Sequence, residues 1–313
     1  MTLPPEFSLI ARHFRPLAGQ GALDLLDDAA LLDPPPGRQL VLAADAMVAG
    51  VHFLADDPPE TIGRKLLRVN LSDLAAMGAE PVGYLMTIAI ARRTADGWVA
   101  ALSAGLAQDQ ARFGIGLLGG DTVSTPGPAC LSLTIIGSVP PDLALRRVGA
   151  RPGDDVWVSG VIGRGLLGLR AARGEIPDPD GSLARHYRMP EPRLALGVAL
   201  RGIARAAMDV SDGLLQDLSH LCRAGDCAAE VDGARLPVPP GDVPLAELAG
   251  GGDDYELLFA AAPEDQPRVE AAARAAGTPV TRIGRFTQAA PRVTLRDAEG
   301  ADITPGKLGW SHV

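Results

Sequence analysis

Asn70-Leu71-Ser72-Asp73-Leu74-Ala75-Ala76-Met77-Gly78-Ala79-Glu80-Pro81 is the stretch from which the fold is read. It closes a long apolar-periodic segment, with Gly78 placed as a C-cap and Pro81 as a stop signal, so a helix is predicted to end here. Steps of three and four put Leu66, Asn70, Asp73 and Met77 on one stripe, and Leu67, Leu71 and Leu74 on another. Such a helix is apolar on nearly all sides, and a carboxylate within it needs a hydrogen-bonding partner or a cation. Asp73 therefore reads either as a capping or surface acid or as a cation ligand. Acids beside small residues recur after other apolar runs, and together they point to metal and phosphate.

With 313 residues, two ordinary domains are expected. Hydrophobic residues make up 47% and aromatics only 4%, so the cores must rest on Leu, Ala, Val and Ile. The 37 glycines and 27 prolines follow no period, which argues for many turns and against collagen-like structure. A net charge of -9 disfavours nucleic acid as a partner. It remains compatible with a small phosphorylated substrate, because divalent cations can stand between carboxylates and phosphates. Cys130, Cys222 and Cys227 are odd in number and lack paired short spacings, which disfavours a disulfide framework or zinc ribbon and leaves buried thiols as the default. No basic region leads into an apolar one at the start, and no apolar run approaches the roughly 18 residues of a membrane span. A soluble cytoplasmic protein is expected.

Outward from the opening stretch, Phe7 to Phe14 suggests a short amphipathic helix. Leu25-Leu26-Asp27-Asp28 breaks an apolar run with two acids, readable as a turn pair or as ligands. Leu40 to Ala44 is strand-like and ends in Asp45, with His52 after a turn at Gly50. Asp57-Pro58-Pro59-Glu60 reads as a helix start with Asp57 as N-cap. Gly83 to Ile90 is the next predicted strand, and Trp98 to Phe113 the next helix. Gly119-Gly120-Asp121-Thr122 would let the backbone approach an anion while the acid and hydroxyl reach a cation; a hairpin turn explains it too. Leu131 to Val139 is a strand. The basic, turn-rich Arg146 to Asp154 holds the predicted boundary, with domains at 1–145 and 146–313; Arg146 or Arg147 fits either a phosphate contact or a solvated linker.

Asp155 to Gly160 begins the second domain as a strand and runs into the glycines Gly160, Gly163, Gly165 and Gly168, which suit a phosphate loop or close helix packing but match no nucleotide fingerprint. Ser182 to Pro192 reads as a surface connection, and Leu194 to Ala207 as a helix. Asp209-Val210-Ser211-Asp212-Gly213 precedes leucines at helical spacing; capping uses one polar side chain, so the surplus favours a site. Gly250-Gly251-Gly252-Asp253-Asp254 repeats the theme before a strand. Glu264 to Ala275 reads as a helix, and Val280 to Phe286 and Val293 to Arg296 as strands. Trp310, with His312 at the end, suits packing or stacking on an aromatic ligand.

These residues closely resemble the thiamine-monophosphate kinase family, in the superfamily of aminoimidazole ribonucleotide synthetase, selenophosphate synthetase and the hydrogenase-maturation carbamoyl-dehydration protein. The resemblance spans essentially the whole chain and is most specific where Asn70 to Gly78 and Asp209 to Gly213 occur together in this order. It implies an α+β fold with α/β-type layers in two domains, the first a sheet domain that pairs in a homodimer. It also implies transfer of the ATP γ-phosphoryl group to thiamine monophosphate with magnesium. By this resemblance Asp28, Asp45, Asp73, Asp121, Asp209 and Asp212 match metal ligands, and Asp73, Asp121, Asp209 and Arg147 carry the reaction. Gly120, Asp121, Arg147 and Ser211 match ATP contacts, while His52, Asp253 and Trp310 match positions that hold the thiamine substrate. Ala43 and Ala44 stand where the family commonly has a hydroxyl-bearing pair, leaving backbone carbonyls as metal ligands, and Asp253 stands where Glu is usual.

An ionised phosphate acceptor needs no strong general base, so the chemistry reduces to bringing two polyanions together, with several carboxylates converging through magnesium. The alternatives are a noncatalytic metal- or nucleotide-binding regulator and a sister enzyme such as aminoimidazole ribonucleotide synthetase.

Overall fold

The computed structural model of the protein describes residues 5–311, and His312 lies outside them. The chain divides into two compact units, Met1–Leu74 with Glu80–Pro141, and Ala75–Ala79 with Asp142–Val313.

The first unit contains α1 (Pro5–Leu9), β1 (Gln39–Val48), α2 (Pro59–Ala76), β2 (Glu80–Ile90), α3 (Asp96–Phe113), β3 (Gly116–Ser124) and β4 (Cys130–Val139). Its sheet runs β1-β4-β2-β3, with β4 antiparallel to β1 and β2, and β2 parallel to β3. A parallel pair needs a crossover, which α3 supplies. Strand alternation sorts the side chains: Tyr84, Met86, Ile88, Leu131, Leu133 and Ile135 are buried on one face, while Leu42, Leu85 and Thr87 are exposed on the other. The helices cover the buried face, where Gln110 Nε2 of α3 donates to the Tyr84 hydroxyl at 3.0 Å. Gly63 and Gly105 let α2 and α3 touch, since a Cβ on Gly105 would stand 2.0 Å from the Glu60 carbonyl oxygen.

Charge also joins these helices. Arg68 of α2 donates from Nε to Asp109 Oδ2 at 2.6 Å and from Nη2 to Oδ1 at 2.9 Å, and Arg64 Nη2 adds a contact of 3.1 Å. Asp109 is fully buried. The opening stretch ends as expected: α2 stops at Ala76, and Gly78 follows with φ +64°.

The second unit holds β5 (Asp155–Ser159), α4 (Arg164–Ala172), α5 (Ser182–Arg188), α6 (Leu194–Ala199), β6 (Ala206–Asp209), α7 (Leu214–Gly225), β7 (Ala228–Asp232), α8 (Leu245–Ala249), β8 (Leu257–Ala261), α9 (Gln266–Ala276), β9 (Val280–Thr287) and β10 (Val293–Arg296). The sheet order is β10-β7-β9-β5-β8-β6. On one face Leu214, Leu218 and Leu221 of α7 pack with Val156, Met208, Val231 and Ile283. On the other, Trp157 and Phe259 pack with Leu196 of α6 and Val269 of α9. Helices on both faces give this unit the layered architecture that the family resemblance implies.

Four expectations change. Ser182–Pro192 is no plain connection, because it contains α5 with Tyr187 buried. Leu194 to Ala207 splits into α6 and the fully buried β6; a short unbroken apolar run does not distinguish helix from central strand. Gly119 to Thr122 is neither a loop nor a hairpin turn but the middle of edge strand β3. Asp45 lies three residues inside β1, not at its end.

Candidate functional site

Each unit gathers its own set of the singled-out residues. In the first, Asn70 is completely buried; its Nδ2 donates to the Leu66 carbonyl at 2.9 Å, and its Oδ1 accepts the Asp45 N–H at 3.2 Å. One side chain thereby ties α2 to edge strand β1, and Asp73 follows one helical turn further along α2. Asp45 and Asp73 are half-buried. By strand alternation, Ala43 and Asp45 turn their backbone groups away from β4, whereas Ala44 turns its own into the ladder. In the turn after β1, His52 Nδ1 accepts the Val48 N–H at 3.1 Å, which leaves Nε2 as the protonated nitrogen. The buried Lys65 ammonium donates to the His52 carbonyl at 2.9 Å.

Asp27, Asp28, Gly120, Asp121 and Thr122 line a cavity of about 750 Å³ on the outer face of the same sheet. Asp121 lies opposite Thr87 in the ladder, and Asp45 lies opposite the buried Leu133. Asp121 and Asp45 therefore project from opposite faces, and the first unit presents two acid groups. Asp45 and Asp73 are not among the cavity's lining residues. Gly120 has φ +159°, and a Cβ there would fall 1.7 Å from the Met86 carbonyl oxygen, so the close β2–β3 approach requires glycine.

In the second unit, β8 is antiparallel to both β5 and β6, so the ends of β5 and β6 and the start of β8 share one edge of the sheet. Gly160 to Gly165, Asp209 to Gly213 and Gly250 to Glu256 meet there. The Asp253 N–H donates to the Ser211 carbonyl and the Tyr255 N–H to the Val210 carbonyl, both at 2.8 Å, and the Trp310 N–H donates to the Asp212 carbonyl at 2.9 Å. Ser211, Asp212, Asp253 and Trp310 are thus brought together. Asp209 is buried at the end of β6. Arg147 is exposed, and its charge, like that of Asp212, acts on His220 of α7. Trp310 is about half exposed, with Lys307 Nζ 5.4 Å from its ring centroid, and lines a cavity of about 460 Å³ with Gly250 and Gly251.

Two residues organise this edge, Asp217, which the sequence does not single out, and Asp254, which it shows only as the second acid of a glycine-acid run. Asp217 Oδ2 accepts the N–H groups of Ser211, Asp212 and Gly213 at 3.0, 3.1 and 3.2 Å. Burial, and then the charges of Asp209 and Asp212, hold its carboxyl well above the ordinary range. With these amides satisfied from inside, Asp209, Ser211 and Asp212 are released from capping. The available signal was an acid in the first turn of α7. Asp254 likewise accepts the Gly163 and Gly165 N–H groups, each at 2.8 Å. Those amides are already engaged, so the glycines there serve close packing more directly than phosphate.

Burial pushes the Asp254 carboxyl up from 3.8 to about 7, against the two amide bonds that favour its charged form. A raised folded-state value means that its stabilisation is complete below about 4 and is lost as pH rises through about 7. The thermal midpoint should therefore fall more steeply between pH 4 and 7 in the parent than in Asp254→Asn. Equal slopes in calorimetric scans would contradict this assignment.

The donors are chemically suited to magnesium: carboxylates and carbonyl oxygens are hard ligands. Among the described residues, no three His, Cys, Asp or Glu side chains stand close enough together to hold a metal ion. One or two carboxylates completed by phosphate oxygens and water is the usual magnesium arrangement, and these acid groups fit it.

The two layered units, with acids on and beside their strands, define the aminoimidazole ribonucleotide synthase-related class. The family model for the AIR synthase related protein N-terminal domain matches residues 26–139, and that for the C-terminal domain matches 151–296. Thiamine-monophosphate kinase from Caulobacter vibrioides is 47% identical over 99% of this chain and 91% of its own length. The crystal structure of thiamine-monophosphate kinase from Stenotrophomonas maltophilia K279a superposes with TM-score 0.83 at 39% identity, covering 93% of this chain and 96% of that one. A structure described as AaThiL complexed with AMPPCP and TMP gives TM-score 0.79 at 27% identity over 92% and 91% of the two chains. The chain belongs to the thiamine-monophosphate kinase family.

Proposed function

We propose that this protein transfers the γ-phosphoryl group of ATP to thiamine monophosphate, giving thiamine diphosphate and ADP. The 47% identity to a thiamine-monophosphate kinase along nearly the whole chain carries this reading. Asp28, Asp45, Asp73, Asp121, Asp209 and Asp212 hold magnesium ions, with the carbonyl oxygen of Ala43 completing the set; that of Ala44, turned into the ladder with β4, does not take part. Magnesium, when bound, supplies the positive charge that offsets two polyanions. Gly120 and Arg147 contact the nucleotide. Ser211 does so through its hydroxyl, because its amide already donates to Asp217. His52, donating from Nε2, holds the thiamine substrate together with Asp253, and Trp310 offers it an aromatic face. Alignment and electrostatic stabilisation carry the catalysis, because the acceptor phosphate is already ionised. Residues 1–145 and 146–313 are the functional domains in this reading. Its cytoplasmic setting is supported by three cysteines that stay as thiols.

A steady-state assay with ATP, magnesium and thiamine monophosphate tests the reading. Thiamine diphosphate formation supports it. ATP binding without product would select the noncatalytic regulator, and turnover of ATP only with a different acceptor would select a sister enzyme.

The same reading includes a homodimer. On the outer face of the first sheet Leu42 is 64% exposed and Leu85 and Val123 are 41% and 43% exposed, an apolar surface suited to a second copy. Leu42→Asp should shift the sedimentation coefficient from dimer to monomer at micromolar concentration. A dimer in the variant as tight as in the parent would contradict this interface.

No helix among the described residues is long and apolar enough to cross a membrane.

A further inference from the structure

Asp253 and Asp254 are neighbours with opposite tasks. Asp253 is half-buried with φ +61°, Tyr255 has φ +51°, and Gly252 before them has φ +73°. Left-handed backbone at two non-glycine residues flanking Asp254 is strained and persists only where the surroundings impose it. The surroundings here are specific. Asp254 is buried, with each carboxyl oxygen taking one amide, Gly163 N–H on Oδ2 and Gly165 N–H on Oδ1. Gly165 lies flush against the same peptide, where a Cβ would meet the Gly252 carbonyl oxygen at 2.3 Å and that of Asp253 at 2.5 Å. From the other side, Ser211 and Val210 carbonyls hold the Asp253 and Tyr255 amides. His186 lies beside this segment, near enough for the Asp254 backbone and the Asp253 charge to act on its imidazole.

We propose that Asp254 is a positioning residue for the thiamine-phosphate contact: by gripping the start of α4 it fixes the left-handed turn that presents the Asp253 carboxyl to the substrate. The inference rests on the functional reading given above. It explains how a contact one methylene shorter than the family's usual Glu is kept at a defined place, since a short side chain depends wholly on where its backbone is held. Asn in place of Asp254 turns an N–H₂ toward one of the two amides, breaking one of the paired bonds with little change in volume.

KM for thiamine monophosphate, KM for ATP and kcat are to be measured for the full-length parent, Asp254→Asn, Asp253→Ala and the double variant, with folding checked by circular dichroism. Asp254→Asn should raise KM for thiamine monophosphate on the order of tenfold and leave KM for ATP within about twofold. The double variant should be no worse than Asp253→Ala alone, because the two residues act through one contact. Equal rises in both KM values, or losses that add in the double variant, overturn the proposal. If Asp254→Asn does not fold, Gly165→Ala, whose Cβ would press on the Gly252 and Asp253 carbonyls, displaces the same turn and goes through the same cycle; an unchanged KM for thiamine monophosphate then overturns the proposal. A parent that forms no thiamine diphosphate overturns the functional reading and this role with it, whereas unchanged variant kinetics in an active parent overturn the role alone.

Discussion

Asp73→Asn should lower kcat on the order of 10³-fold while leaving the far-ultraviolet circular dichroism and the thermal midpoint close to those of the parent. Asn has nearly the same shape and keeps an oxygen, so the loss isolates the charge. The anchor of α2 on β1 does not depend on that charge: it runs through the neighbouring Asn70, which bonds the Leu66 carbonyl and the Asp45 amide. Neutralising one of the few carboxylates available to a magnesium ion, by contrast, weakens both binding of the ion and alignment of the phosphates it carries. Activity should recover only in part as magnesium is raised. A kcat within a few-fold of the parent at saturating magnesium would remove Asp73 from the reaction.

Asp109→Ala should do the reverse, destabilising the first unit by about 3–5 kcal/mol with little direct effect on chemistry in the molecules that remain folded. Asp109 is fully buried and Arg68 is 3% exposed, so the truncation takes two charge-assisted bonds from a buried guanidinium. Arg64 loses its contact as well, although at the edge of the cluster it can turn to water. Urea unfolding should show a lower midpoint with an unchanged slope. A loss below about 1 kcal/mol would mean that the ion pair merely balances its own desolvation and that the glycine-mediated contact of α2 with α3 holds the helices alone.

The two variants separate what the sequence displays from what it conceals. The Leu66, Asn70, Asp73 and Met77 stripe was legible because a 3.6-residue period puts those side chains on one face, and Gly78 after it marks the helix end. Asp109 was not, since nothing within α3 reveals that its partners lie some forty residues earlier on α2. Gly119 to Thr122 misled for a related reason: two glycines before an acid are good turn chemistry, and only pairing with β2 shows that Gly120 answers a 1.7 Å approach to the Met86 carbonyl. Strand membership then has a consequence that motif reading misses, because alternation sends Asp121 and Asp45 to opposite faces of one sheet. In the second unit the Asp209, Ser211, Asp212 and Asp253 signals were visible as acids beside glycines. The buried Asp217 and Asp254 that hold them resembled ordinary helix-start and turn acids.

The central claim is passage of the ATP γ-phosphoryl group to the phosphate of thiamine monophosphate. It is tested most directly with ATP carrying ¹⁸O in its γ-phosphoryl group, magnesium and thiamine monophosphate, followed by mass spectrometry of the products. The predicted result is thiamine diphosphate whose terminal phosphate carries the label, formed one for one with ADP. Label found only in inorganic phosphate, with thiamine monophosphate unchanged, would contradict the account.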